Sequence, residues 1–204
     1  MGAAKKKTQK RLGRPRSMES EQAIIDATME LLNEGGFVGL TLAKVAKRAK
    51  ASKATIYRRW PTKEHLVVAA VSRFPELIPH DKGNLVDELS DLLRQHLKRM
   101  QSPRLHGLLP QLTAERAHNP SLAAALDPYL EARREPSRTV LRQAIARGEI
   151  PADTDIELAV DIITGVGYLR FYFASRKSGD QTVASMRKVY EFLLRGLRAG
   201  AARR

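Results

Sequence analysis

The chain has 204 residues, 43% of them hydrophobic, which is enough for one large or two small folded domains. It contains no Cys, which excludes disulfides and thiolate metal sites and fits a reducing compartment. Charge interrupts every apolar run well before the roughly 18 residues a membrane span needs, and no apolar stretch follows the basic N-terminus, so a cytoplasmic protein without a membrane partner is expected.

The formal charge of +14 is concentrated early: residues 1–74 carry 16 Lys+Arg against 6 Asp+Glu, and residues 75–204 carry 20 against 16. The first 16 residues hold seven cationic side chains and no acid. Such a block repels itself, so residues 1–18 are expected to form a disordered basic arm unless a polyanion neutralises it. Nucleic acid is the first candidate, an anionic membrane face the second, and a solubilising tail the bland alternative.

From Glu19 the apolar residues Ile24, Ala27, Leu31 and Leu32 recur at helical spacing, and Gly35-Gly36 supplies a stop. Thr41 can cap a second, short helix with Leu42, Val45, Ala46 and Ala49 on one face. Ser52 can cap a third, "KATIYRRW", which Pro61 breaks, and Thr62 can cap a fourth, "KEHLVVAAVSRF". Pro75 and Pro79 bracket a linker.

Beyond the linker the helices lengthen. Leu85, Leu89, Leu92, Leu93, Leu97 and Met100 form one apolar stripe ending near Ser102-Pro103, and Leu105 to Ala117 makes a helix disturbed at Pro110. Asn119-Pro120 starts another that runs towards Gly148 with disturbances at Pro128 and Pro136. The last two helices span about 155–176 and 181–199. No segment alternates with period two for long, so an all-α chain of about nine helices is expected, with a three-helix helix-turn-helix domain over 19–74 and a larger helical domain over 80–200.

Two short helices about three residues apart, the second Ser-capped and rich in Lys, Arg, Thr and Tyr, have the layout of a helix-turn-helix. The outward face of the second must be polar to meet a major groove; Lys53, Ala54, Tyr57 and Arg58 suit it, while Ile56 and Trp60 turn inward. Thr41, Thr55, Arg59 and Lys63 lie at helix starts or flanks, where hydroxyls, cations and amides grip phosphate.

These residues resemble the TetR family of bacterial transcriptional repressors. Its motif is met by Gly36-Phe37, Thr41, Val45-Ala46, Ala49, Ser52, Thr55-Ile56-Tyr57, Trp60 where Phe is usual, Lys63-Glu64 and Leu66. The close resemblance covers residues 20–70. It implies that Lys53, Ala54 and Tyr57 approach base edges, that Thr41, Thr55, Tyr57, Arg59 and Lys63 hold phosphates, and that Arg58 does either. Lys50 departs from the pattern, standing where the turn normally has Gly. A left-handed Lys costs on the order of 1 kcal/mol, so either the turn is reshaped or the added cation offsets the strain by meeting a phosphate. Ala54 replaces a common Gly and adds a methyl able to touch thymine. Ahead of the domain, "RLGRPR" is similar to an AT-hook, an extended arm laying Arg14 and Arg16 in an A·T-rich minor groove, with a phosphate-only tail as the alternative.

The resemblance further implies a homodimer on a palindromic double-stranded operator, released by an unknown small-molecule effector. The residues support a dimer through the last two helices: Val183, Met186, Val189, Tyr190, Leu193, Leu194 and Leu197 form one stripe, and Ile156, Ala159, Val160, Ile163, Val166 and Gly167 another, although each helix also needs an apolar face for its own domain. Candidates to line an effector cavity are Leu93, Leu97, Met100, Leu108, Leu112, Tyr129, Tyr168, Phe171 and Tyr172, with plain core packing as the competing role. No cofactor, metal set, phosphate loop or nucleophile with a base is visible, and the five His are scattered, so no enzyme is expected. The rival is an architectural DNA binder that senses nothing, and activation stands beside repression.

Overall fold

The computed structural model describes residues 15–100, 108–172 and 179–201, with side chains over 18–99, 108–170 and 179–199. Among these the chain is helical, with no strand: α1 Pro15–Gly39, α2 Leu42–Arg48, α3 Lys53–Arg59, α4 Lys63–Val71, α5 Leu85–Met100, α6 Leu108–Arg116, α7 Pro120–Ala132, α8 Glu135–Ala146, α9 Ile156–Tyr172 and α10 Gly179–Ala201. It divides into two compact units, Met1–Ala70 and Val71–Arg204.

In the first unit, α1 starts at Pro15, four residues earlier than expected, because proline's fixed φ suits the first helical position. Arg16 is thereby on a helix and not in an extended arm, while Arg14 lies outside the described residues. The straight run of α1 stops at Gly36, whose φ of 62° and ψ of −169° a side chain resists. Thr41 Oγ1 accepts from Lys44 N at 3.2 Å and Ser52 Oγ from Thr55 N at 3.1 Å, so both short helices carry the expected side-chain caps, worth about 1 kcal/mol each. Ile24, Leu32, Val45, Ile56, Leu66 and Val67 are fully buried, and such residues hold helices too short to persist alone.

In the second unit, Leu85 and Leu89 of α5, Val140 and Leu141 of α8, Val160 and Ile163 of α9, and Met186, Tyr190 and Leu193 of α10 share one core. A buried polar link closes one end. Glu88, 1% exposed, pairs with Arg147 at 2.9 Å, and Glu149 accepts the amide of Leu85 at 2.8 Å, placing a carboxylate at the positive start of α5.

Two expectations are corrected here. The run from Asn119 towards Gly148 is two helices: α7 continues through Pro128 to Ala132, and a turn at Arg133-Arg134 leads into α8, where Pro136 occupies a first-turn position that needs no amide. The stripes assigned to dimerisation are intrachain core, since Ala159, Val160, Ile163, Val183, Met186, Tyr190 and Leu193 are buried within this unit. The exposed apolar residues of these helices are others: Leu158, Ile162, Tyr168 and Leu169 on α9 and Phe192 on α10.

Candidate nucleic-acid interface and effector cavity

The turn between α2 and α3 is built at the backbone. Ala51 N donates to Ala46 O at 3.0 Å and Lys50 N to Lys47 O at 3.4 Å, the two bonds of a Schellman end, and Lys50 takes the left-handed position with φ of 50°. The same end recurs after α8, where Gly148 has φ of 69° and Glu149 N reaches Ala144 O at 2.9 Å. The turn at Lys50 therefore keeps its usual shape without glycine, and the strain is carried by a lysine.

Below α3, Ile56 is fully buried and Trp60 is 9% exposed. On its outer side Lys53, Ala54, Tyr57 and Arg58 are exposed, and Lys50 is exposed on the preceding turn. Thr55 is half-buried, its hydroxyl 2.9 Å from that of Ser52, and Thr41 is exposed at the start of α2.

The cations divide by partner. Arg48 is neutralised by Glu34 at 2.8 Å and Glu30 at 3.2 Å, and Arg59 donates to Glu21 at 2.9 Å. Lys63 Nζ donates to Phe37 O at 3.2 Å and stands 3.8 Å from the centroid of the Phe37 ring, a cation–π contact. No carboxylate pairs with Lys47, Lys50, Lys53 or Arg58 among the described residues. Lys47, on the exposed side of α2, was not among the expected contacts; only its polar-face position on a two-turn helix signals it.

In the second unit a cavity of about 270 Å³ opens among α5, α6, α7, α9 and α10. Leu89, Leu92, Leu93, Leu109, Leu130, Ile163 and Met186 give it apolar walls, and His96, Thr113, Tyr129, Arg133, Ser137, Thr164, Tyr168, Thr182 and Tyr190 supply polar groups. Two larger clefts, of about 700 and 810 Å³, are lined by salt-bridged side chains such as Arg116, Asp127, Glu131, Arg134 and Arg138; the smaller space has the character of a small-molecule site.

Of the expected lining residues, Leu93, Tyr129 and Tyr168 face this cavity. Leu108 and Leu112 are buried without lining it, Leu97 is half-buried elsewhere, and the side chains of Met100, Phe171 and Tyr172 lie outside the described residues. Sequence reasoning missed His96 and Arg133, since a polar side chain among helix-surface charges carries no periodic signal of facing inward. Tyr129 Oη donates to Val71 O at 3.1 Å and Arg133 donates to Phe74 O and Pro75 O at 3.3 Å each, so the residues following α4 hang from the cavity wall. Burial, reinforced by the Arg133 and Arg99 charges, holds the His96 imidazole down at about 4.

The family model for bacterial regulatory proteins of the tetR family matches residues 24–70, and that for the tetracyclin repressor-like C-terminal domain matches residues 79–188. The chain belongs to the TetR family. It is 30% identical over 184 residues to the HTH-type transcriptional regulator YdeS of Bacillus subtilis, covering 87% of this chain and 91% of that one. It is also 30% identical over 145 residues to the DNA-binding transcriptional repressor TetR of Mycobacteroides abscessus, covering 69% and 75% of the two chains. The solved structure of Salmonella enterica GusR superposes with a TM-score of 0.71 at 24% identity, over 93% of this chain and 100% of that one, and shares the fold. As a TetR-family member the chain is a DNA-binding transcriptional regulator, and α2 with α3 form its helix-turn-helix. Among the described residues no helix is long and apolar enough to cross a membrane.

Proposed function

We propose that this regulator is a cytoplasmic repressor that binds a palindromic operator as a homodimer and leaves it when a small molecule enters the cavity of the second unit. The observation that carries the reading is the division of α3, with Ile56 and Trp60 buried beneath and Lys53, Ala54, Tyr57 and Arg58 exposed above. Lys53 and Tyr57 read base edges and Ala54 offers a methyl to thymine. Thr41, Lys50, Thr55 and Arg58 grip phosphate, and Lys47 joins them from α2. Arg59 and Lys63 act differently: their charges are engaged by Glu21 and Phe37, so they brace α3 and α4 and meet phosphate only from those anchored positions.

The dimer forms through the exposed apolar residues of α9 and α10, in particular Leu158, Ile162, Leu169 and Phe192, rather than through the core stripes. Water-exposed apolar side chains along two long helices gain by pairing with a second copy. The basic residues ahead of α1 add salt-dependent affinity, with Arg14 reaching the minor groove. Replacing Arg14 by Ala should weaken binding more on A·T-rich than on G·C-rich flanks; equal losses leave the arm as a phosphate contact alone. The rival architectural reading predicts DNA binding without sequence preference. Selecting bound DNA from a random pool at stated salt separates the two.

A further inference from the structure

We infer that the effector is a carboxylic acid with a compact apolar body, its carboxylate held by Arg133, which lines the cavity, and by Arg99, whose charge lies close to that of Arg133; this rests on the reading that the second unit binds an effector.

The half-buried arginines of the second unit are otherwise matched with acids. Arg138 pairs with Glu157 at 2.7 Å and with Glu131, Arg134 with Asp161 at 2.6 Å, and Arg147 with Glu88 at 2.9 Å. Arg133 and Arg99 break the pattern. Neither has a carboxylate partner among the described residues. Arg133 donates to the backbone carbonyls of Phe74 and Pro75, and its guanidinium stands 5.4 Å from the centroid of the Tyr129 ring. Arg99 donates to the carbonyl of Glu76, and its Nη1 is buried with no partner.

Two half-buried guanidiniums side by side without a counter-charge repel each other and favour an anion between them. Burial first and the Arg133 charge second push the Arg99 guanidinium below its ordinary value. His96, one helical turn before Arg99 on α5, lines the cavity and is kept neutral by burial and by the two arginines, so it adds no charge of its own there. Beyond this end the walls are leucine, isoleucine and methionine, which welcome hydrocarbon.

A planar guanidinium fork matches a carboxylate bidentately. The cavity of about 270 Å³ holds roughly ten heavy atoms at the packing density of protein interiors, which suits an aromatic or medium-chain acid.

The test uses the full chain and matched probes: octanoate, benzoate and phenylacetate against octanamide, benzamide and phenylacetamide, read by calorimetric titration and by the shift in Tm. At least one acid should bind and raise Tm, with its amide at least tenfold weaker. Arg133→Gln and Arg99→Gln should each weaken that acid at least tenfold and leave the amide unchanged. Absence of binding by all three acids, amides equal to acids, or arginine variants that bind acid normally would overturn the inference. The acid–amide comparison on the unaltered chain decides even where a variant fails to fold. Binding to the selected operator is measured separately: operator binding without acid binding defeats this inference alone, and acid binding without operator binding defeats the regulator reading alone.

Discussion

The amide of Ala51 reaches the carbonyl of Ala46 at 3.0 Å only because Lys50, between them, turns into the left-handed region that glycine normally fills. The helix-turn-helix keeps its shape and stores strain at one exposed residue. Lys50→Gly should therefore stabilise the chain by about 0.5–1 kcal/mol, the relief of strain being partly offset by the extra freedom of glycine in the unfolded chain. Lys50→Ala, which keeps the strain and loses the charge, should leave stability within about 0.5 kcal/mol. Both should lower operator affinity and cut the salt slope by about one ion. Urea unfolding and binding titrations over a range of salt check the two halves, and a normal slope in both variants would remove Lys50 from the phosphate contacts.

The imidazole of His96 has a pH consequence with a definite sign. Folding lowers its pKa to about 4, so between the unfolded value of about 6.5 and the folded value only the unfolded chain takes the proton. Stability should be unaffected by this group above pH 6.5 and fall as pH drops from 6.5 towards 4, by on the order of 2–3 kcal/mol in total. Carboxylates such as Asp87 and Asp91, whose pKa values are lowered in the folded chain, also lose stabilising contacts in acid. The comparison is therefore between the unaltered chain and His96→Gln by denaturant unfolding. The variant should lose less over this window; parallel curves would place the imidazole in water.

On α9 the apolar residues separate into two roles that substitution distinguishes. Val160 is fully buried, so Val160→Asp should unfold the second unit by burying an unpaired charge. Ile162 is 37% and Leu158 is 56% exposed, so Ile162→Asp and Leu158→Asp should leave the fold intact and yield monomers. Sedimentation at micromolar concentration reads the assembly and circular dichroism the fold. A dimer surviving both substitutions would place the interface on another surface.

Arg59 and Glu21 join α3 to α1 through a partly exposed pair. Arg59→Ala should cost roughly 0–1 kcal/mol of stability, as such pairs do, and weaken all DNA sequences alike. Arg58→Ala, with no acid to lose, should change binding alone. Unfolding and binding titrations on the same preparations separate these effects, and a change of sequence preference in Arg59→Ala would make it a base reader.

Much of the first unit is legible in the chain because its determinants are local. Thr41 and Ser52 cap within three residues, Gly36 needs an unusual φ, and the position of Lys50 follows from the spacing between two short helices. The second unit is less legible because its determinants are distant. Val183 to Leu197 show that α10 has an apolar face but not which neighbour covers it, and the structure gives that face to α5 and α9. The exposed set of Leu158, Ile162, Leu169 and Phe192 is too sparse for periodicity to reveal. His96 gains its character from burial and from the charges of Arg133 and Arg99, and Arg133 reaches the cavity through the packing of α7, none of which spacing encodes. The end of α7 at Ala132 is likewise set by packing, since Pro128 inside the helix is tolerated while the helix ends four residues later.

The central claim is that α3 reads DNA sequence through Lys53 and Tyr57 in two symmetry-related half-sites. Selection from a random DNA pool with the full chain, repeated with Lys53→Ala and Tyr57→Ala, tests it most directly. The expected product is a palindrome whose half-sites lie about one helical turn or a multiple apart, with each substitution costing about 1–3 kcal/mol and relaxing preference at one base pair per half-site. Enrichment of no sequence, of a non-palindromic one, or of the same palindrome with unaltered preference in both variants would contradict it.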